Sequence, residues 1–237
     1  MSSLYPHLVG LHGLFGLVAL LTFWTAAALR KGTPLHRRVG QAYLGAMAGI
    51  CLTALPMVAV FVQRGRPGIA VFLAYLVLIT ATAMWLGRRA IRRRRAQAAF
   101  RDRGYAAVAW LNLGAALAVF AIGWQMQQVL LMGFSVVGAL TGGTMLWRRW
   151  RPLAEGNWWL QEHYAAMIAC GAATHVAFAS IGLGRLASAA GFAMPAWYGL
   201  LAWFVPLAVA VLATMLLDRR HRRSRAMPVG RGAATVA

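Results

Sequence analysis

Acidic residues are almost absent from this sequence, which has four carboxylates against 24 basic residues. They are Asp102, Glu155, Glu162 and Asp218. None of them falls in the middle of an apolar run, which disfavours ion pumps and membrane hydrolases that work through a carboxylate buried at mid-membrane. Cysteine is also scarce: Cys51 and Cys170 both lie within apolar runs, so a disulfide framework is not expected.

The chain also lacks a polar segment long enough to form a soluble domain, and 61% of its residues are hydrophobic. Seven apolar runs each approach the ~20 residues needed to cross a ~30 Å hydrocarbon layer. They cover residues 8–29, 40–62, 69–87, 105–125, 129–147, 163–187 and 200–217. The sequence therefore predicts an all-α membrane protein with seven transmembrane helices, in which residues 1–218 form a single domain.

Basic residues are rare on one side of the expected bundle. That side has only Arg64, Arg66 and Arg185, while the other 21 basic residues lie in the alternate gaps and the C-terminal segment. Because positive loops stay in the cytoplasm, we expect the N-terminus outside and the C-terminus inside a bacterial inner membrane. Residues 219–237 are expected to form a basic, disordered cytoplasmic tail. No basic residue precedes the first apolar run, so a cleaved signal peptide is not expected.

The net charge of +20 is explained by this topology and by attraction to anionic lipid headgroups, so nucleic acid is not expected as a partner. The most basic gap, residues 88–103, is typical of either a short amphipathic helix on the inner leaflet or a charged linker. The predicted headgroup contacts are Arg92, Arg93, Arg94 and Arg95.

Two histidines interrupt apolar runs, where an imidazole is costly without a partner. Counted from the cytoplasmic ends of their helices, His12 lies ~27 Å and His175 ~22 Å deep, which places both in the outer half of the membrane at similar depth. Small residues flank both rings, including Gly13 and Gly16 beside His12 and Gly171 beside His175. Such a pair suits an axially ligated haem b or a two-histidine metal site.

A second pair, His36 and His163, lies at the cytoplasmic boundary, where Glu162 precedes His163. A neighbouring carboxylate can fix a histidine tautomer or join it in metal binding. An acid at a helix start and an interfacial histidine meeting lipid phosphates would give the same pattern. His163 and His175 are 12 residues apart and so point about 120° away from each other, which favours one outer site over two stacked haems.

Two short elements carry a resemblance to a family of bacterial predicted polytopic membrane proteins of unknown function. They are His36-Arg37-x-x-Gly40-x-x-Tyr43, preceded by His12-x-x-x-Gly16, and Glu162-His163-x-x-x-Met167. The resemblance covers the first, second and sixth runs, and it implies a polytopic helical fold with functional weight on these histidines. Their placement is also similar to that in di-haem cytochrome b membrane proteins, which implies haem ligation.

Three functions remain open on the sequence. The first is a membrane redox protein that binds haem b through His12 and His175, with a second site at His36 and His163, and acts as a homo-oligomer or with a membrane redox partner. The second is an intramembrane hydrolase with zinc at His12, His175, His163 and Glu162. The third is a scaffold or assembly protein without a cofactor, whose histidines only form hydrogen bonds between helices.

Overall fold

The computed structural model describes residues 5–153 and 156–226, with side chains described as far as His221. The regular structure within these ranges is entirely helical. The helices are α1 (Tyr5–Ala28), α2 (Pro34–Gln63), α3 (Pro67–Arg92), α4 (Gln97–Phe100), α5 (Arg103–Gln125), α6 (Val129–Trp150), α7 (Trp158–Ala177), a π-helical segment (Phe178–Gly182), α8 (Leu183–Ala189) and α9 (Tyr198–Ala226). Seven segments are long and apolar enough to cross a membrane, which confirms the predicted all-α class and number of spans.

The helix starts follow from local sequence. At α2, the Thr33 hydroxyl accepts a hydrogen bond from the His36 N–H at 3.2 Å, and Pro34 occupies the first turn, where no donor is needed. At α5, the Asp102 carboxylate accepts one from the Tyr105 N–H at 2.9 Å. Gly65 turns the chain between α2 and α3 with a φ of +66°, a conformation that glycine adopts without strain.

Two boundaries differ from the expectation. The arginine-rich gap does not form one amphipathic helix: α3 continues through Arg92, and the four-residue α4 follows a turn. Arginine is a good helix former, so an apolar helix extends through it once it leaves the hydrocarbon. For the same reason α9 continues to Ala226, and residues 219–226 are helical instead of part of a disordered tail. Residues 227–237 of that tail, and Glu155, lie outside the described residues.

Four of the helices form a bundle that we call the quartet: α1, α2, α3 and α7. Within it, α1 and α3 each contact both α2 and α7, whereas α2 and α7 share little direct backbone contact in the described chain. The helices α2 and α7 therefore lie diagonally across the quartet. One end of the bundle, which we call the arginine-rich face, joins the chain segments around Arg89, Asp102, Arg148 and Glu162 through two ion pairs.

Outside the quartet, α5 and α6 form a tightly packed pair that contacts α3. On α6, a Cβ at Gly142 would lie 2.5 Å from the Ala109 carbonyl oxygen of α5. A Cβ at Gly138, four residues earlier, would lie against the Tyr75 hydroxyl of α3 and 3.3 Å from the Asn112 carbonyl oxygen of α5. Small residues at this spacing let two helix backbones approach closely in a membrane. Of the most apolar 18-residue stretch of α1, and likewise of α9, only 6% is buried, so these two helices lie at the edges of the bundle.

Candidate functional site

Two stripes of polar and sulfur-containing side chains face the interior of the quartet. On α7, the stripe has spacings of four, three and four residues, and on α2 its members are separated by seven, four and four. Both patterns keep one helix face. The α7 stripe is His163, Met167, Cys170 and Thr174, and the α2 stripe is His36, Tyr43, Met47 and Cys51. We call these eight residues the quartet column.

The middle of the quartet column is dry and closely packed. The Tyr43 Oη and Thr174 Oγ1 atoms are 3.4 Å apart, and the Thr174 hydroxyl also contacts the Met47 sulfur at 3.3 Å. Cys170 is fully buried in the same cluster. Met84 of α3 and Phe23 of α1 pack against it from the sides. Sulfur and aromatic side chains thus link α2 and α7 where their backbones do not meet.

His36 and His163 stand at the end of the column nearest the arginine-rich face. The His36 Nδ1 atom lies 3.1 Å from the Ala26 carbonyl oxygen of α1, and the His163 Nδ1 atom lies 3.1 Å from the Gly87 carbonyl oxygen of α3. A carbonyl can only accept, so Nδ1 carries the proton in both rings and Nε2 carries the lone pair.

The space beside this pair is bounded by small or flexible groups. A Cβ added at Gly40, one turn after His36, would have no described atom within 4 Å. A Cβ at Gly87 would meet the tip of the Met167 side chain, which is flexible. On the α3 side, therefore, a methionine that can move lies next to His163.

Glu162 does not serve His163 in the way the sequence suggested. Its carboxylate pairs with the Arg148 guanidinium of α6 at 2.7 Å, with only 11% of the Glu162 side chain exposed. The Gly87 carbonyl, instead of a carboxylate, fixes the His163 tautomer. Adjacent residues on a helix diverge by about 100°, so Glu162 faces α6 while His163 faces the quartet interior.

His175 is enclosed by aromatic side chains of α1. Its Nδ1 donates to the Gly171 carbonyl oxygen at 2.7 Å, and its Nε2 accepts a hydrogen bond from the Trp24 indole N–H at 2.9 Å. The ring centroids of Phe23 and Trp24 lie 5.4 and 5.6 Å from that of His175, both in edge-on orientation. The π-helical segment begins three residues later, at Phe178. His175 is thus satisfied by α1 and by its own helix.

His12 takes a different partner at another level of the membrane. Its Nδ1 lies 2.8 Å from the Thr53 hydroxyl of α2, whose own hydrogen is directed to backbone carbonyls of α2, so the imidazole donates. Thr174, next to His175, contacts α2 at Met47, and Thr53 lies six residues beyond Met47, a rise of about 9 Å. His12 therefore lies further than His175 from the arginine-rich face, and the two rings have different partners.

The zinc set expected from the sequence is not assembled. His12, His175 and His163 have partners on different helices and at different levels, and Glu162 is directed to α6. Across residues 5–153 and 156–226, no three side chains of histidine, cysteine, aspartate or glutamate converge as a metal-binding group. The residues described do not fit a three-ligand hydrolytic zinc centre.

Several groups that build the site were missed by reading the sequence. The carbonyls of Ala26 and Gly87 and the Trp24 indole come from helices distant in sequence, and no local pattern points to them. The quartet column itself was readable, because its helical spacing is present in the sequence. Comparison of the chain with protein-family models, with curated proteins and with solved structures found no match in any of the three.

Proposed function

We propose that this chain is a bacterial inner-membrane redox protein that holds haem b between His36 of α2 and His163 of α7. The observation that carries the proposal is the state of these two rings. Each donates its Nδ1 proton to a backbone carbonyl and so presents an Nε2 lone pair. A ligating histidine commonly donates its other nitrogen to a carbonyl or carboxylate in this way, because that bond fixes the tautomer and the ring orientation.

The donor set fits a haem held by two histidines. His36 and His163 stand on the diagonal helices α2 and α7 and would hold the iron between them. Met167, one turn after His163, is a flexible side chain that can move aside. When bound, such a haem supplies one-electron chemistry.

The remaining side chains of the quartet column serve the same purpose. Tyr43, Met47 and Cys170 are buried and exclude water from the interior next to the histidine pair. Only a neutral imidazole has a lone pair for a metal, and the carbonyl contacts of both rings leave that lone pair on Nε2. The carbonyls of Ala26 and Gly87 hold the rings in place from α1 and α3.

We infer from the distribution of basic residues that this pair lies next to the cytoplasm. The arginine-rich face is cytoplasmic by the positive-inside rule, so the N-terminus is outside and the C-terminus inside. An electron carrier at this boundary exchanges electrons with a partner on the cytoplasmic side. His12 and His175 lie deeper in the membrane along the same α1–α2–α7 side of the bundle, and each also keeps Nδ1 as its donor nitrogen.

The test is the haem content of the purified protein. We expect protein from haem-replete cells to show a Soret band with about one haem per chain, and His36→Ala and His163→Ala each to lose most of it. His221→Ala is the matched control, because this ring also donates Nδ1 to a carbonyl but stacks on Tyr164 outside the quartet column. A colourless wild-type preparation, or equal haem in all three variants, would overturn the proposal.

A further inference from the structure

A basic groove lies along the last two turns of α3, on the arginine-rich face. It is lined by Trp85, Arg88, Arg89, Arg92 and Arg93. Their spacings of three, one, three and one residues keep all five on one face of the helix. The groove begins at the indole, where the apolar part of α3 ends, and extends beyond it into the charged turn.

Arg89 forms the fixed wall of this groove. Its guanidinium pairs with the Asp102 carboxylate at 2.6 Å and donates to the carbonyl oxygens of Phe100 and Ala99 at 3.0 and 2.8 Å. It also lies over the Trp85 ring, 4.8 Å from the centroid. The Arg89 charge is compensated by Asp102, and these contacts fix the position of the guanidinium, which packs against the Trp85 indole at the end of α3.

The other three guanidinium groups are not compensated in this way. Arg88, Arg92 and Arg93 are exposed. The two ion pairs found among the described side chains, Arg89 with Asp102 and Arg148 with Glu162, leave these three without a carboxylate. Three uncompensated positive charges within two helical turns select an anion, and guanidinium groups match the geometry of phosphate oxygens.

The position of the groove identifies the anion's source. Trp85 is half-buried at the end of a membrane span, the depth at which tryptophan meets lipid headgroups. A ligand seated there would place its phosphate among the arginines and its glycerol and acyl chains along the indole and the apolar side of α3. We propose that this groove binds the phosphate of an anionic phospholipid headgroup. The haem proposal is independent of this site.

The arginines that line the groove differ from the set that the sequence predicted as headgroup contacts. The sequence pointed to Arg92, Arg93, Arg94 and Arg95 as a linear run. In the structure the helix ends at Arg92, so Arg94 and Arg95 lie in the following turn and do not line the groove. Arg88 joins instead, because it is one helical turn before Arg92.

Native mass spectrometry of the full chain in a neutral detergent tests this proposal. Phosphatidylglycerol and phosphatidylcholine are added separately to the wild type and to the triple variant R88Q/R92Q/R93Q. We expect the wild type to retain one phosphatidylglycerol at least tenfold more tightly than phosphatidylcholine, and the triple variant to lose that preference. The matched control, R30Q/R37Q/R38Q, removes the same charge from exposed positions near α1 and α2 and should keep it.

Three results would overturn the proposal. Equal losses in the triple variant and the control would show that overall charge, and not the groove, attracts the lipid. Displacement of the lipid by millimolar inorganic phosphate would make the free ion the ligand. A wild type without preference for the anionic lipid would remove the site altogether. If the triple variant fails to fold, R92Q/R93Q, which keeps Arg88, should lose at least threefold in affinity for phosphatidylglycerol. An unchanged affinity contradicts the proposal equally.

Discussion

The α5–α6 pair and the quartet bring apolar helices together by different means. In the α5–α6 pair, glycine lets the backbones meet, so that a Cβ at Gly142 would collide with the Ala109 carbonyl. In the quartet, α2 and α7 stand apart, and Tyr43, Met47 and Thr174 fill the distance between them. The first arrangement leaves no room for a ligand, while the second places polar and sulfur atoms inside a helix bundle.

This difference separates stability from function within one fold. Where two helix backbones meet closely, dispersion stabilises the contact and there is no room for a larger side chain. Such a contact needs no titratable side chains. Side chains that bridge two separated helices leave more choice of residue at each position, so the quartet can present imidazole nitrogens to its interior. We therefore expect substitutions in the α5–α6 pair to change the free energy of unfolding, and those in the quartet column to change what the protein binds.

Gly142→Ala should produce the largest loss of stability. The added Cβ would lie 2.5 Å from a backbone oxygen and 2.7 Å from the Leu113 side chain, and a backbone cannot move aside without separating the helices. We expect a cost of about 3 kcal/mol in the free energy of unfolding, measured by thermal or denaturant unfolding in detergent. Gly143→Ala is the control, since its Cβ would meet no described atom within 4 Å. Equal stability of the two variants would contradict the close-packing account.

Glu162→Gln should cost about 2 kcal/mol, because it leaves the Arg148 guanidinium without its largely buried carboxylate partner. Haem content should not change, since Glu162 faces α6 and not the histidine pair. The measurement is an unfolding curve together with the haem-to-protein ratio of the same preparation. A loss of haem with unchanged stability would show that Glu162 acts in the histidine site. It would also contradict the distinction between the α5–α6 pair and the quartet column.

Thr82→Val should cost about 1 kcal/mol. The Thr82 hydroxyl accepts a hydrogen bond at 2.9 Å from the Asn112 side chain, which is fully buried where α3 meets α5. Thr144→Val is the control, because the exposed Thr144 hydroxyl bonds only to backbone carbonyls of its own helix. If Thr144→Val destabilises the protein as much as Thr82→Val does, the hydrogen bond between helices contributes no more to stability than one within a helix.

Trp24→Phe should have the smallest effect. It removes the indole N–H that donates to His175 Nε2 and keeps an aromatic ring against that histidine. We expect unchanged stability, to within about 0.5 kcal/mol, and an unchanged absorbance spectrum, because the proposed haem ligands are His36 and His163 and not His175. An altered spectrum would mean that His175 is a ligand, and it would move the site deeper into the membrane.

The sequence predicted the spans well and the site only partly, for a physical reason. Hydropathy and the placement of arginine are local properties, so seven helices could be read directly. The sequence also placed His36 and His163 together at one boundary, because each stands near the start of an apolar run. The register of one helix against another depends on packing along both, and no local pattern encodes it. The separate partners of His12 and His175, and the pairing of Glu162 with Arg148, therefore emerged only from the structure.

The most direct test of the central claim is the coordination state of the haem in single-histidine variants. The account predicts a six-coordinate, low-spin spectrum for the wild type. His36→Ala and His163→Ala should each convert any haem that remains to a five-coordinate, high-spin form that binds carbon monoxide. A six-coordinate, low-spin spectrum that survives in both variants would contradict the assignment of these two rings as the axial ligands.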